Sequence, residues 1–338
     1  MLTNITDQRI QQILTLPEDG TKQWEKDLER LRSGDVTLNR RTAGENTIKA
    51  VQRMLIFLGY STASSGSFLI DGDFGRGTNR AVAQFQLEHG LNPAIGRDIL
   101  AYPCSWNNAR SRIVGIPDVT LDIATMEKML EVCIAAIDKQ EVSCGDFDEA
   151  LNQLNLLHRR KLMTCRQILE KYGELAVQAT QKLQEDKEVT VLPIWVLSII
   201  RQETAGVVRP RFEQHILSSR VKDDPDLDFS ELRYRSMSFG LGQVMGFNYL
   251  LIDEGSAKGM FFSPLEKQVY NVARFLSRAR SSLRPVFAKS NPKDEDFHAV
   301  AKFYNGAGYW KHHYHESLQR WFREFKALGA LELGNSSV

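Results

Sequence analysis

Apolar positions recur along this chain mainly at helical spacing, so the pattern predicts a mostly α protein built in blocks. In residues 1–43, Ile5, Ile10, Ile13 and Leu14 form one amphipathic stripe, and a charged stretch runs from Lys22 to Arg32. This reads as an N-terminal arm, helical or loosely docked. From about Asn46 the stripe Ile48, Val51, Met54, Leu55 and Leu58 predicts a helix that stops at Gly59-Tyr60. A Ser- and Gly-rich loop then leads to Asp71-Gly72-Asp73-Phe74-Gly75, a tight-turn composition. Thr78 is the expected cap of a second helix with Ala81, Val82, Phe85 and Gln86 inside, ending at Gly90. A third helix, Thr120 to Leu130, comes after an insertion from Asn92 to Pro117 that carries Pro103, Cys104 and Trp106. Residues 138–187 are strongly helix-forming, through Leu151, Leu154 and Leu157 to Ile168, Tyr172 and Ala179, and read as a helical connector or a helical extension of the C-terminal domain. Trp321 to Leu328 predicts a closing helix.

One short block differs. Between Val191 and Glu203 apolar side chains occupy nearly every face, the mark of a helix buried all round. Thr190 is the expected N-cap, Pro193 suits the first turn, and Gly206 offers a left-handed stop. Glu203 hangs from the last turn. Burial and the negative end of the helix dipole both disfavour its charged form, so its pKa is expected to rise. A carboxyl that stays protonated near neutrality can hand a proton to a leaving oxygen. The plainer reading is that Glu203 salt-bridges an arginine and closes a core helix.

Composition narrows the partners. The 338 residues suffice for two domains. With 42% hydrophobic and 25% charged residues the chain is ordinary for a globular protein, and a net charge of +1 gives no field for nucleic acid or an anionic membrane. Arg201, Arg209, Arg211 and Arg220 cluster locally but alternate with acids. Cys104, Cys133, Cys144 and Cys165 show no zinc spacing and are expected as free thiols in a reducing cytosol, with a disulfide the alternative in an oxidising periplasm. The N-terminus lacks a basic start and an apolar run, so no signal peptide is expected, and no apolar stretch approaches the roughly twenty residues of a membrane span.

Three strings carry the chemistry: Glu203-Thr204-Ala205-Gly206, Ser238-Phe239-Gly240-Leu241-Gly242-Gln243-Val244-Met245, and Phe303-Tyr304-Asn305-Gly306-Ala307-Gly308-Tyr309. On residue type alone, Gly240 and Gly242 let backbone approach a bound molecule closely, and the Gln243 amide can both donate and accept. Tyr304 and Asn305 can hold a ring beside Glu203, and Tyr309 offers a flat face. In order, these strings resemble the signatures of the lysozyme superfamily, nearest to goose-type lysozymes and soluble lytic transglycosylases. Arg209-Pro210-Arg211-Phe212-Glu213-Gln214-His215 and Gln243-Val244-Met245-Gly246-Phe247-Asn248-Tyr249 resemble the N-acetylmuramidase domain of phage endolysins. The ordered pattern from Val51 to Leu91 is similar to the small three-helix peptidoglycan-binding domain of cell-wall hydrolases, with Asp71, Asp73 and Phe74 as its expected wall-binding residues.

The resemblance implies an arm (1–43), a peptidoglycan-binding domain (44–137), a connector (138–187) and a lysozyme-like N-acetylmuramidase domain (188–330). It implies cleavage of the β-1,4 bond between N-acetylmuramic acid and N-acetylglucosamine, with Glu203 as acid and Gln243, Tyr304, Asn305, Tyr309 and Gly240 binding sugar. Glu213 is a second catalytic carboxylate or an anchor pairing with Arg211 or His215. Retaining enzymes want the carboxyl groups about 5 Å apart and inverting ones roughly 6.5–9.5 Å. Asp223, Asp224 and Asp226 are water-activating candidates or an ordinary solvated turn. His312, His313 and His315 invite a metal, but no matching carboxylate or cysteine accompanies them, and the chemistry needs neither metal nor cofactor. The alternatives are a lytic transglycosylase leaving 1,6-anhydro ends and a non-catalytic wall-binding protein of the same fold. An amidase or peptidase would need a Cys/His pair or zinc ligands. The expected partner is peptidoglycan, reached from the cytoplasm without a signal peptide and attacked at the wall. An immunity protein is expected only for an injected effector, not for a phage lysis enzyme.

Overall fold

A computed structural model describes residues 2–16, 24–39, 41–101, 116–140, 146–157, 161–187 and 189–333. The expected insertion (92–117) lies mostly outside them, as do Cys104, Cys144 and His158. In chain order the helices are α1 (Gln8–Leu14), α2 (Glu25–Arg32), α3 (Glu45–Phe57), α4 (Arg76–Glu88), α5 (Arg97–Ala101), α6 (Ile123–Asp138), α7 (Phe147–Leu156), α8 (Cys165–Lys187) and α9 (Pro193–Glu203). After them come α10 (Gln214–Asp223), α11 (Phe229–Arg235), α12 (Leu265–Ser277), α13 (Asp294–Asn305) and α14 (Tyr314–Ala327). A small antiparallel sheet in the order β1 (Arg211–Phe212), β2 (Met237–Phe239), β3 (Val244–Met245) lies among them. Its register pairs Arg211 with Ser238 and Phe239 with Val244. The fold is mostly α, as the periodicity requires.

Local chemistry sets the helix ends, and two expected caps are corrected. The α9 helix starts from Leu192, with Pro193 in its first turn, because the pyrrolidine ring supplies the helical φ without a cap; Thr190 plays no part. Thr78 sits inside α4, whose cap is Gly75, and its hydroxyl instead donates to the Asp73 carbonyl at 2.8 Å. The third helix is longer than its stripe and is capped by Asp122, whose carboxylate accepts from the Thr125 N–H at 2.8 Å. At the end of α3 the chain leaves through Gly59 at φ 81, a left-handed exit.

Two hydrophobic cores cut across the expected boundaries. The first gathers α1, α2, α3, α4, α6 and α7 together with Phe212, Leu217, Leu232, Tyr234, Met237 and Phe239. The second holds α8, α9, α12, α13 and α14 around Trp195, whose ring contacts Phe322 at 4.7 Å and Phe297 at 5.4 Å between centroids. The arm is therefore not loosely docked. Ile10, Ile13, Leu14, Trp24, Leu28 and Leu31 are buried, and the Arg53 guanidinium donates to the Ile13 carbonyl at 2.5 Å. The connector is not a unit either: α7 joins the first core and α8 the second. Among the described residues no helix is long and apolar enough to cross a membrane.

Candidate active site

The site lies where the two cores meet. From the second core α9 presents Glu203 at its C-terminal end, partly buried. The chain then turns through Ala205 at φ 50 and Gly206 at φ 78. Desolvation pushes the Glu203 carboxyl up to about 7, opposed by one hydrogen bond, from the Tyr314 hydroxyl to Oε1 at 2.5 Å. Tyr304 on α13 is close enough for the Glu203 charge to oppose ionisation of its phenol, and burial opposes it further. The acid thus faces two tyrosines that stay neutral.

From the first core comes the β2–β3 hairpin, whose tip is Gly240–Gln243. Three bonds fasten it. Tyr304 donates to the Gly242 carbonyl at 2.7 Å, the Thr204 hydroxyl donates to the Leu241 carbonyl at 2.8 Å, and Gln243 Nε2 donates to the Arg209 carbonyl at 2.8 Å. Glu203, the glycine–glutamine string and Tyr304 are therefore brought together from positions about a hundred residues apart.

Several predicted residues carry a different role. The Gln243 amide is spent within the protein: Oε1 accepts from Ser238 at 2.9 Å, and the backbone holds φ 50, a conformation that costs a non-glycine residue energy. A side chain on Gly242 would meet Val272 at 2.4 Å and the Tyr304 hydroxyl at 2.8 Å, so this glycine makes room for the tyrosine, not for sugar. Gly240 has φ 68 and serves the turn. Glu213 pairs with Arg211 at 3.0 Å and lies 3.7 Å from His215 Nδ1, as an anchor would. Asp224 faces Arg220 at 3.4 Å, and Asp223 accepts from Ser219 at 3.0 Å.

Asn305 is exposed at the end of α13. Tyr309 is partly buried, and its hydroxyl meets His298 Nδ1 at 3.1 Å. The neighbouring Trp310 is the exposed ring, at 58%. His313 faces Glu316 at 2.9 Å, and His315 stacks on His298 with 4.0 Å between centroids. In the N-terminal module Phe74 is buried, at 5% exposure, and Asp71 accepts from Gln52 at 2.7 Å, so Phe74 belongs to the core and Asp71 to the turn; Asp73 is exposed. Sequence reasoning missed Tyr314, Thr204 and Trp310. Tyr314 lies 111 residues from the acid it bonds, and no spacing signals that contact.

The geometry thus places a helix-end carboxyl, raised to about 7 by burial, beside two tyrosines and a glycine hairpin. Residues 226–326 match the N-acetylmuramidase family, and residues 44–94 match the family described as "Putative peptidoglycan binding domain". The two matches give the chain a C-terminal muramidase-family domain and an N-terminal peptidoglycan-binding domain, so it is a glycoside hydrolase with peptidoglycan as its substrate. The matched muramidase span begins after Glu203. No curated protein matches the chain. Among solved structures, the chain is similar to an endolysin of the Burkholderia AP3 phage at 15% identity, covering 87% of this chain and 98% of that one, with a TM-score of 0.33.

Proposed function

We propose that the enzyme cleaves the β-1,4 bond between N-acetylmuramic acid and N-acetylglucosamine with Glu203 as general acid. The supporting observation is the Glu203 carboxyl itself, raised to about 7 by burial and faced by Tyr314 and Tyr304. With Tyr314 donating to Oε1, the transferable proton sits on Oε2. That proton goes to the bridging oxygen as the bond to the muramic C1 breaks, leaving a carboxylate that the Tyr314 hydrogen bond stabilises. Water then adds its hydroxyl at C1 and gives its remaining proton to the Glu203 carboxylate, which completes hydrolysis and restores the acid. Tyr304 and Gln243 act by holding the hairpin tip, while the exposed Asn305 amide and Trp310 ring are the groups available to a sugar.

A second reading, lytic transglycosylation, has one observation in its favour. Among the described residues no second carboxylate is hydrogen-bonded to the Glu203–tyrosine group, and Glu213 is held by Arg211. The acid that has given up its proton could then take one from the muramic 6-hydroxyl, which attacks C1. Mass spectrometry of the glycan ends separates the two, since 1,6-anhydro ends are lighter by one water. Hydrolysis predicts reducing ends. For the acid itself, Glu203→Gln should lower clearing of purified sacculi by about 10²-fold or more while the protein stays folded. Undiminished clearing by the folded variant removes Glu203 from the reaction. The same chemistry serves phage lysis and an injected antibacterial effector, and only the second calls for an immunity protein.

A further inference from the structure

The peptidoglycan-binding module is joined to the catalytic lobe more closely than a tether requires. Its loop 61–68 pairs with β1 as an additional edge: Ser67 bridges Arg211 in antiparallel register, and the Phe212 N–H donates to the Gly66 carbonyl at 2.8 Å. The fit is tight, because a side chain on Gly66 would lie 1.9 Å from the Phe212 carbonyl oxygen. Arg80 of α4 stacks over the Phe212 ring at 4.9 Å and donates to the Ala63 carbonyl at 2.7 Å.

A buried ion pair lies alongside. Arg233 of α11 binds Glu88 of α4 through Nε at 2.7 Å and a second nitrogen at 3.1 Å, with side-chain exposures of 2% and 7%. Tyr60 donates to the same carboxylate at 2.7 Å, and its ring lies 3.9 Å from the guanidinium carbon. Tyr234 donates to the Leu58 carbonyl at 3.1 Å. Breaking such a buried pair leaves an uncompensated charge, so the geometry is strongly held. Tyr234 leads within three residues into β2, and β2 ends at the hairpin tip, whose Leu241 carbonyl accepts from Thr204, the neighbour of Glu203.

We propose that the N-terminal module is a positioning part of the catalytic groove: through loop 61–68 and Glu88 it fixes β1 and β2, and so holds the 240–243 tip against Glu203. The inference rests on the assignment of Glu203 as the acid. It makes Gly66 and Glu88, in a module whose family is named for binding, and their partner Arg233 on α11 positioning residues for the reaction.

The test uses the full chain and a short, soluble, peptide-free glycan of alternating N-acetylglucosamine and N-acetylmuramic acid, on which wall affinity has no influence. Gly66→Ala, which must push the loop off β1, and Glu88→Gln are compared with wild type, with Tyr234→Phe as a milder change should either fail to fold. A loosened hairpin admits water beside Glu203, whose facing groups are Tyr314 on α14 and Tyr304 on α13. The expected result is a kcat lower by about tenfold to a hundredfold with KM changed less, and a basic limb of the pH–rate profile moved toward acid. Lost stability alone would reduce the active fraction and leave the limb in place. A folded variant whose limb stays where the wild type's lies overturns the proposal, whatever its rate. Glu203→Gln run alongside separates the two claims: if it retains activity, the acid assignment fails first; if it is inactive while Gly66→Ala matches wild type, only the role of the module fails.

Discussion

The Glu203 carboxyl binds its proton more tightly in the folded protein than in the unfolded chain, at about 7 against an ordinary 4.5. That difference fixes the sign of the linkage. Below about 4.5 the site costs the fold nothing, and stability is lost as pH rises through 7, because the ionised form is poorly solvated. Glu203→Gln is therefore expected to be more stable than wild type at pH 8, by on the order of 2 kcal/mol, and nearly equal to it at pH 4. Chemical denaturation at the two pH values checks this. Tyr314→Phe removes a hydrogen bond that favours the carboxylate, so the acid should keep its proton to higher pH and the basic limb of the rate profile should move up. The carboxyl was legible in the sequence because a charge at the end of an all-apolar helix is conspicuous. Its tyrosine was not, since a contact across 111 residues leaves no periodicity.

The hairpin tip is where composition and role part company. Two glycines and a glutamine between strand residues announce a turn, and the turn is there. Whether an amide faces sugar or backbone is a matter of orientation, which spacing does not encode; here Gln243 turns inward to Arg209 and Gly240. Gly242→Ala should displace Tyr304, costing about 1–3 kcal/mol of stability and lowering kcat more than KM, as read from denaturant midpoints and steady-state rates. In the second core, Trp195→Ala should cost about 3–5 kcal/mol, because its ring is fully buried among Phe287, Phe297 and Phe322. That core helix was legible end to end, apart from its cap. The caps differed because Leu192 and Gly75 leave the first N–H groups without side-chain acceptors, which a search for Ser and Thr does not anticipate.

At the scale of the molecule, the sequence divides into modules by motif, while packing divides it by core. Repeats of apolar residues show which face of a helix is buried but not against what, so the pattern leaves α8 as either a connector or an extension of the C-terminal domain, and packing places it with the latter. Because Phe212, Leu232 and Met237 share a core with α3 and α4, the binding module and the catalytic hairpin should unfold together. Calorimetry should show no separate transition for the N-terminal module, and an early one would contradict the shared core. The burial that raises the Glu203 carboxyl to about 7 is what the proposed chemistry depends on above all. It is measured most directly by tracking the side-chain carboxyl carbon of Glu203 in a ¹³C-glutamate-labelled sample as pH is varied, with the resonance assigned by its loss in Glu203→Gln. A carboxyl buried as described titrates with a midpoint near 7, and a midpoint near 4.5 would contradict its role as the acid.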